Sequence, residues 1–266
     1  RSSDLDVEAA VAAAKAAFPA FSQTSITERI ALLEKLLAAY ERRRGDFSAA
    51  LTEEMGAPKT LSETGQTGLG VAHIQATIDA LKNMAQDIQR GTTSIEYEAA
   101  GVAALITPWN WPINQVFTKV ASALGAGCTM VLKPSEYTPG CALIFAEILH
   151  EAGVPAGVFN LINGLGPDVG AVMSEHPGID MMSFTGTGSI PREFASAKIA
   201  AAMECSDSCS RPAATASNSS TLSRPPRRVT CADTKERFPS VSVPVLSKRT
   251  VSTLRSCSKA ARLRMS

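Results

Sequence analysis

The chain has few aromatic residues, no long apolar run and no signal-peptide pattern. Aromatic side chains make up 5% of the 266 residues. No apolar stretch approaches the roughly 20 residues that a membrane-spanning helix requires, and the first residues, RSSDLDVEAA, do not look like a secretory signal. These absences exclude a helical membrane protein, and we expect a cytoplasmic one. The chain also opens without methionine, so we expect a truncated or processed start.

Glycine is missing from residues 205–266, although the whole chain has 18 glycines. This tail holds twelve Lys/Arg against three Asp/Glu, whereas residues 1–204 hold fourteen against twenty-two. It is rich in serine and shows neither helical nor strand periodicity. Two alternatives explain such a tail: a disordered, basic nucleic-acid-binding arm, or the product of a shifted reading frame. We favour the second because periodicity, glycine and acidic residues are lost together.

The first hundred residues have the apolar spacing of helices. Asp6–Ala17 is alanine-rich, and Ser25-Ile-Thr-Glu28 has the spacing of a capping box that starts a second helix. Gly45 is expected to end that helix, and Phe47–Met55 is expected to form another that closes at Gly56. A further helix is expected to carry the core-facing residues Val71, Ile74, Ile78, Leu81 and Ile88.

From Gly101 onward, short apolar runs alternate with helical segments, the last of which is expected to end near Met203. Buried strands that alternate with helices of about ten residues indicate βαβ units and a parallel, doubly wound, Rossmann-like sheet of the α/β class. In such sheets ligands bind beyond the carboxyl ends of the strands, so the segments after each strand are candidate sites. The predicted strands are Val102–Ile106, Thr129–Leu132, Val158–Ile162 and Met181–Phe184.

Three of these segments have residue types that suit a nucleotide. Lys133-Pro-Ser-Glu136 can donate to and accept from the two hydroxyls of a ribose; the alternative is a solvated turn with a surface ion pair. The pattern Gly164-x-Gly166-x-x-x-Gly170 suits nucleotide binding or simply a strand-to-helix turn. Phe184-Thr-Gly-Thr187 opens a helix whose N–H groups suit a phosphate, or it is an ordinary N-cap.

Asn110 stands on a rigid corner after the first predicted strand. Pro108 and Pro112 flank it, and each proline fixes φ and lacks an N–H. A side-chain amide held there can donate an N–H to a developing oxyanion; the alternative is an Asx-type turn. Lys119 lies about two and a half helical turns later and faces either the same cleft or solvent.

Neither a metal site nor a Ser/His/Asp triad is indicated. His73, His150 and His176 are far apart in the sequence. Cys205 and Cys209 have no second ligand pair at zinc-finger spacing. Cys128 and Cys141, which precede the tail of residues 205–266, are expected to be structural. The strand-end segments therefore carry the functional prediction.

Several segments occur in an order and spacing that match one enzyme family. They are Ile106-Thr-Pro-Trp-Asn-Trp-Pro112, Lys119, Lys133-Pro-Ser-Glu136, Ala152-Gly-Val-Pro-Ala-Gly-Val-Phe-Asn160, Gly164-x-Gly166-x-x-Val-Gly170, His176-Pro177 and Ser183-Phe-Thr-Gly186. The chain from about Asp4 to Phe184 resembles the NAD(P)-dependent aldehyde dehydrogenases. The resemblance implies oxidation of an aldehyde to an acid through a thiohemiacetal on cysteine, hydride transfer to NAD(P) and hydrolysis of a thioester.

The resemblance implies a role for each matched residue. Asn110 would be the side-chain donor of the oxyanion hole, and Lys119 would relay a proton. Lys133 and Glu136 would bind the adenosine ribose, and Glu136 favours NAD because a carboxylate repels a 2′-phosphate, with NADP as the alternative. The residues that would line the cofactor cleft are Ile106, Thr107, Pro108, Trp109, Ser135, Gly166, Gly170, Phe184, Thr185, Gly186 and Thr187.

The resemblance also implies a domain organisation and partners. Residues 1–99 would be the N-terminal helical part of the cofactor-binding domain, and 100–204 its Rossmann-like core. Residues 205–266 would be an unassigned Ser/Arg-rich tail, irregular or disordered. Family members act on small aldehydes and form homo-oligomers; no membrane partner is expected, and a nucleic-acid partner is not favoured.

Two segments of the family pattern are not found after Met203, and Pro191 stands where the family has a glycine. Neither Glu-Leu-Gly-Gly, which supplies the general base, nor Gly-Gln-x-Cys, which supplies the nucleophile, occurs in residues 204–266. We therefore expect a truncated, catalytically impaired aldehyde dehydrogenase-family chain that keeps much of the cofactor cleft. The alternatives are a non-catalytic NAD-binding module and, less favoured, a regulatory protein with a basic nucleic-acid-binding tail.

Overall fold

The computed structural model describes residues 4–84, 87–186 and 264–265. Its first part is helical: α1 covers Asp4–Ser22, α2 covers Ile26–Met55, and α3 covers Thr67–Lys82 after a π-helical segment, Leu61–Gln66. None of the helices in the described ranges combines the length and apolarity that a membrane crossing requires.

Helix α2 begins and ends at the residues that its sequence indicates. The Ser25 Oγ accepts a hydrogen bond from the Glu28 N–H at 3.2 Å, and the Ser25 N–H donates to the Glu28 Oε2 at 2.7 Å. This capping box satisfies two N–H groups that would otherwise lack partners at the helix start. At the other end Gly56 has φ 68°, the left-handed conformation that glycine adopts without steric cost.

Two of the helical expectations were wrong. Gly45 does not end a helix, because α2 continues through it to Met55 and buries Phe47 and Leu51 in the same core as its first half. A helical glycine costs only about 1 kcal/mol relative to alanine, which such burial offsets. Ile88 belongs to a strand and not to the third helix, since a β-hairpin occupies this region.

The hairpin consists of β1, Asp87–Arg90, and β2, Thr93–Glu96, which pair antiparallel. Gly91, with φ 63°, lies in the turn between them. The described residues Arg264–Met265 form a short strand that pairs antiparallel with β2. The rest of the predicted 205–266 tail, the predicted helix that ends near Met203, and Thr187 lie outside the described residues.

A parallel four-stranded sheet follows the hairpin and confirms the α/β prediction. Its strands are β3, Val102–Ile106; β4, Thr129–Lys133; β5, Phe159–Leu161; and β6, Met181–Phe184. They lie in the order β5-β4-β3-β6, and every neighbouring pair is parallel.

Helices make the crossovers between these strands. Helix α4, Pro112–Gly125, connects β3 to β4, and α5, Pro139–Glu151, connects β4 to β5. A π-helical segment, Gly166–Gly170, and the short α6, Ala171–Glu175, connect β5 to β6. Alternation of parallel strands with crossover helices is the doubly wound arrangement.

The two faces of the sheet are covered by different helices because successive strand residues point to opposite sides. Ala103 and Leu105 of β3 belong to a large core with α2, α3, α4 and α5. In this core the rings of Tyr40 and Phe145 pack in a tilted arrangement on Phe117, with 4.4–4.6 Å between ring centroids. Val102 and Ala104 face the other way and pack in a second core with α1 and α6.

Candidate functional site

Three strands end together at one edge of the sheet. The parallel register pairs Ile106, the last residue of β3, with Lys133 of β4 and with Phe184 of β6. The Thr107 N–H donates to the Lys133 carbonyl at 3.2 Å, and the Thr185 N–H donates to the Ile106 carbonyl at 3.1 Å. Chain order runs from β3 to β4 and β5 on one side and then returns to β6 on the other. This edge is therefore a topological switch point, where doubly wound sheets bind ligands.

Lys133 is a buried cation at this edge. Its side chain is only 3% exposed, and its Nζ donates to the Pro134 carbonyl at 3.0 Å and to the Glu136 Oε2 at 3.4 Å. The Glu136 side chain is 37% exposed, so its carboxylate stands at the rim of the site. Ser135 is buried and accepts a hydrogen bond from the Tyr137 N–H through its Oγ at 3.3 Å. The solvated-turn alternative does not describe a lysine this deeply buried.

The glycine segment between β5 and α6 reaches the same edge. Gly170 is buried, and a Cβ built on it would lie 3.5 Å from the Ile106 Cδ1 and 3.8 Å from the Lys133 Cδ. Three predicted cofactor residues on separate segments are therefore neighbours. Gly166 is exposed, and a Cβ built on it would meet no atom within 4 Å. Gly166 lies at the start of the glycine segment and is not part of the contact that Gly170 makes with the two strand ends.

Asn110 lies on the bend between β3 and α4, as its two flanking prolines predict. Pro112 is the first residue of α4. Asn110 itself is exposed, and the neighbouring Trp109 and Trp111 are 50% and 37% exposed. An amide on this bend is accessible to a bound molecule, which the oxyanion-donor prediction requires.

Lys119 faces the interior and not solvent. It is 7% exposed on α4, and its Nζ donates to the Ser183 Oγ of β6 at 2.6 Å. Ser183 pairs with Leu105, one residue before the strand ends. Of the two alternatives from the sequence, the solvent-facing one does not describe a lysine this buried, and the position of Lys119 in a cofactor cleft stays a prediction.

The third predicted segment follows β6. Phe184 and Thr185 are partly buried, and Gly186 is exposed. A Cβ built on Gly186 would lie 3.0 Å from the Phe184 Cζ, closer than most real contacts. Because Thr187 is outside the described residues, its hydroxyl stays a prediction.

Two polar interactions at the site were missed from the sequence. Ser183 is a polar residue in an otherwise apolar strand, which was a usable signal. The second is a link from α3 to the first turns of α4, in which the His73 Nε2 lies 2.7 Å from the Asn114 Oδ1 and 2.9 Å from the Thr118 Oγ1. No local pattern reveals this contact, because its partners are more than forty residues apart in the chain.

The buried cysteines have the properties of structural thiols. Burial raises the pKa of Cys141 to about 12, with a smaller contribution from Glu54. Burial also raises the pKa of Cys128. Both are free and stay protonated at neutral pH, so neither is a thiolate nucleophile. In the part of the chain that the structure describes, no three His, Cys, Asp or Glu side chains come together as a metal site.

Together, the fold and the convergent strand ends define a doubly wound α/β protein with a candidate ligand site at its switch point. The chain matches the model of the aldehyde dehydrogenase family over residues 1–206 and belongs to that family.

Curated and structural relatives give the same result. A putative aldehyde dehydrogenase of Staphylococcus aureus (strain USA300) is 50% identical over 69% of this chain and 38% of its own length. An aldehyde dehydrogenase from Bartonella henselae is 43% identical, with a TM-score of 0.73 over 76% of this chain and 44% of that one. A mutant of aldehyde dehydrogenase C from Pseudomonas syringae, solved with NAD+ and octanal, is 46% identical, with a TM-score of 0.69 over 70% of this chain and 38% of that one. The chain thus spans less than half the length of these relatives.

Proposed function

We propose that this chain forms the cofactor-binding part of an NAD-dependent aldehyde dehydrogenase, an oxidoreductase that converts aldehydes to carboxylic acids. The observation that carries the proposal is the convergence of Ile106, Lys133 and Gly170 at the switch-point edge of the sheet. Family membership supplies the reaction class. The comparisons support neither the non-catalytic module nor the nucleic-acid-binding alternative.

Lys133 and Glu136 suit the adenosine ribose of NAD. A buried ammonium has donors for a hydroxyl oxygen, and the carboxylate at the rim accepts from a hydroxyl. A 2′-phosphate in place of that hydroxyl would bring negative charge to Glu136, so NAD is preferred over NADP. Several similar structures are NAD+ complexes, including those from Pseudomonas syringae and Bacillus cereus.

The remaining predicted residues would serve the nicotinamide side and the reaction. Bound NAD would accept a hydride from the substrate. Asn110 would donate its amide N–H to the developing oxyanion, and Lys119 would hold a proton at Nζ beside Ser183. The cleft would be lined by Ile106, Thr107, Pro108, Trp109, Ser135, Gly166, Gly170, Phe184, Thr185, Gly186 and Thr187.

The 266-residue chain would bind cofactor without completing the reaction. The general-base segment would fall near Cys205–Arg211 and the nucleophile near Ser240–Val245, and neither family motif is present there. Cys231 and Cys257 stand in other contexts. The truncated character, the cytoplasmic location, homo-oligomer formation and the domain limits at 99 and 204 stay predictions of the sequence.

Calorimetric titration of the full chain with NAD+ tests the proposal. We expect saturable binding of NAD+, weaker binding of NADP+, and no aldehyde-dependent formation of NADH in the same preparation. A folded chain that released no heat with either dinucleotide would contradict the cofactor assignment. Robust turnover would contradict the loss of catalysis.

A further inference from the structure

Asn163 occupies a position at the strand-end edge that neither the sequence motifs nor the family match assigns. It comes two residues after β5, and the preceding Ile162 N–H donates to the Leu132 carbonyl at 2.9 Å. Asn163 therefore follows the point where β5 leaves β4, next to the end of β4 at Lys133. The glycine segment that returns to Lys133 begins at the next residue.

The amide oxygen of Asn163 is buried without a hydrogen-bond donor among the described residues. Asn160, three residues earlier, is the opposite case, because its Nδ2 donates to the Met130 carbonyl at 3.1 Å and to the Gly157 carbonyl at 2.8 Å. Buried polar atoms in folded proteins almost always have partners, and an exception requires an explanation such as a missing ligand. Asn163 thus has an unsatisfied acceptor next to the predicted cofactor edge, whereas the Nδ2 of Asn160 already has partners in the fold.

We propose that Asn163 is a further cofactor-binding residue, whose amide oxygen accepts a hydrogen bond from a donor on the adenosine half of NAD. The proposal rests on the proposed function. Lys133, at the end of β4, and Glu136, three residues after it, are the predicted ribose ligands. Asn110 and Lys119 lie toward α4 and β6. A dinucleotide that spans this edge has its adenosine half nearest to β5 and Asn163.

Two kinds of donor exist on adenosine: the amino group of the base and the ribose hydroxyls. Both would satisfy the Asn163 oxygen in the same way, so the chemistry to test is donation of one N–H or O–H to a neutral amide. Each donor can be removed singly in an analogue of NAD, which separates the two sources.

A ligand-binding role and a structural role have opposite consequences for stability. If the oxygen binds a ligand, it is an unsatisfied acceptor that destabilises the unliganded protein. Replacing Asn163 with alanine removes this destabilisation. The Asn163→Ala variant should then unfold at the same temperature as the parent or higher, yet bind NAD less tightly. If Asn163 only holds the loop, the same variant should lose stability and keep its affinity.

The experiment is a calorimetric titration of the full chain, its Asn163→Ala variant and the matched Asn160→Ala variant. We expect Asn163→Ala to weaken NAD+ binding about fivefold, as for loss of one neutral hydrogen bond, and to leave binding of nicotinamide mononucleotide unchanged. Asn160→Ala should lower the melting temperature with little change in the Kd for NAD+.

Analogues then identify the donor. The analogues are an NAD with purine in place of adenine, which lacks the 6-amino group, and the 2′-deoxy- and 3′-deoxyadenosine forms of NAD. The parent and Asn163→Ala should bind an analogue equally if the group that it lacks is the donor. Asn163→Asp keeps an acceptor and should retain the parent's preference for NAD+ over that analogue.

Equal Kd values for NAD+ in the parent and in a folded Asn163→Ala variant would overturn this proposal alone. So would an Asn163→Ala variant that melts well below the parent or fails to fold. A folded parent chain that does not bind NAD+ at all would overturn both this proposal and the proposed function.

Discussion

Lys133 is the residue on which the proposed cofactor contact depends most. Its side chain is held by a backbone carbonyl and a carboxylate at the rim, and a Cβ built on Gly170 would touch it. A cation in this position is poorly solvated, so hydrogen bonds that it donates to a ligand are stronger than the same bonds at the surface.

Replacing Lys133 with methionine should weaken NAD+ binding at least tenfold, since hydrogen bonds to charged groups contribute about 1.5–3 kcal/mol. Methionine preserves much of the buried stem, so the fold should survive. Calorimetric titration measures the effect, and Lys82→Met, at a lysine whose side chain is 52% exposed, is the control. Comparable affinity in both variants would contradict the ribose-ligand assignment.

The buried thiol of Cys141 should make the protein less stable as the pH becomes alkaline. Its pKa is raised from the ordinary 9.0 to about 12, chiefly by burial. The unfolded thiol ionises above about pH 9 while the folded one stays protonated. The contribution of the Cys141 thiol to the free energy of unfolding is therefore complete below about pH 9. It is lost as pH rises toward 12, at up to about 1.4 kcal/mol per pH unit.

Urea unfolding at pH 8, 9 and 10 checks this dependence. The free energy of unfolding should fall with pH more steeply in the parent chain than in a Cys141→Ala variant. Other titrating groups contribute equally to both proteins, so the difference in slope isolates the thiol. Parallel slopes would refute the expected shift.

At the scale of single elements, α2 shows how backbone conformation decides the effect of a glycine. Gly45 and Gly56 both have open space where a Cβ would stand. Gly45 is in the middle of the helix, whereas Gly56 closes it with a positive φ. The sequence predicted the cap and the stop at Gly56, but it also predicted a stop at Gly45, because glycine alone does not reveal φ.

Gly45→Ala should therefore stabilise the protein by about 0.5–1 kcal/mol, and Gly56→Ala should destabilise it by about 1 kcal/mol. The same methyl group is added in both variants without a contact to residues elsewhere in the fold, so each serves as the control for the other. Chemical denaturation followed by circular dichroism measures both changes. Effects of the same sign would contradict the assigned helix end.

The hairpin shows a second limit of predicting secondary structure from the spacing of apolar residues. Ile88 continues the apolar spacing of α3, yet it pairs with Ile95 across the turn at Gly91. A short strand has too few residues for its apolar spacing to be distinguished from that of a helix. The four parallel strands were predicted correctly because each is a short, mainly apolar run between turn residues.

On the scale of the whole molecule, α1 is essential to the sheet although it precedes every strand in the chain. Val7, Val11 and Ala14 bury one side of α1 against the face formed by Val102 and Ala104. Among the described residues, the rest of that face packs against apolar side chains in and next to the glycine segment and α6. The site edge therefore depends on a helix far from it in sequence.

Val11→Ala should lower the free energy of unfolding by about 2 kcal/mol, from two lost methyl groups and the cavity that remains. Leu5 is on the same helix but 80% exposed, so Leu5→Ala should change stability by no more than about 0.5 kcal/mol. Urea denaturation of both variants makes the comparison. Similar losses at the two positions would contradict the packing of α1 on this face.

The sequence by itself determined the fold class, the order of the four parallel strands along the chain, and the segments that carry polar residues after each of them. These follow from local chemistry: periodic burial, capping residues, and the inability of proline and certain glycines to continue an element. The motifs that match the aldehyde dehydrogenase family are also local, so the family can be recognised from the sequence alone.

Only the tertiary structure decided which of these segments meet. It brought Gly170 to Ile106 and Lys133, turned Lys119 toward Ser183, and left the Asn163 oxygen without a described donor. Spacing along the chain cannot indicate such contacts, because parallel strands are joined by crossovers and become neighbours only when the sheet forms. Burial then changes the chemistry of a side chain: a lysine that reads as a surface residue in the sequence becomes a desolvated cation in the fold.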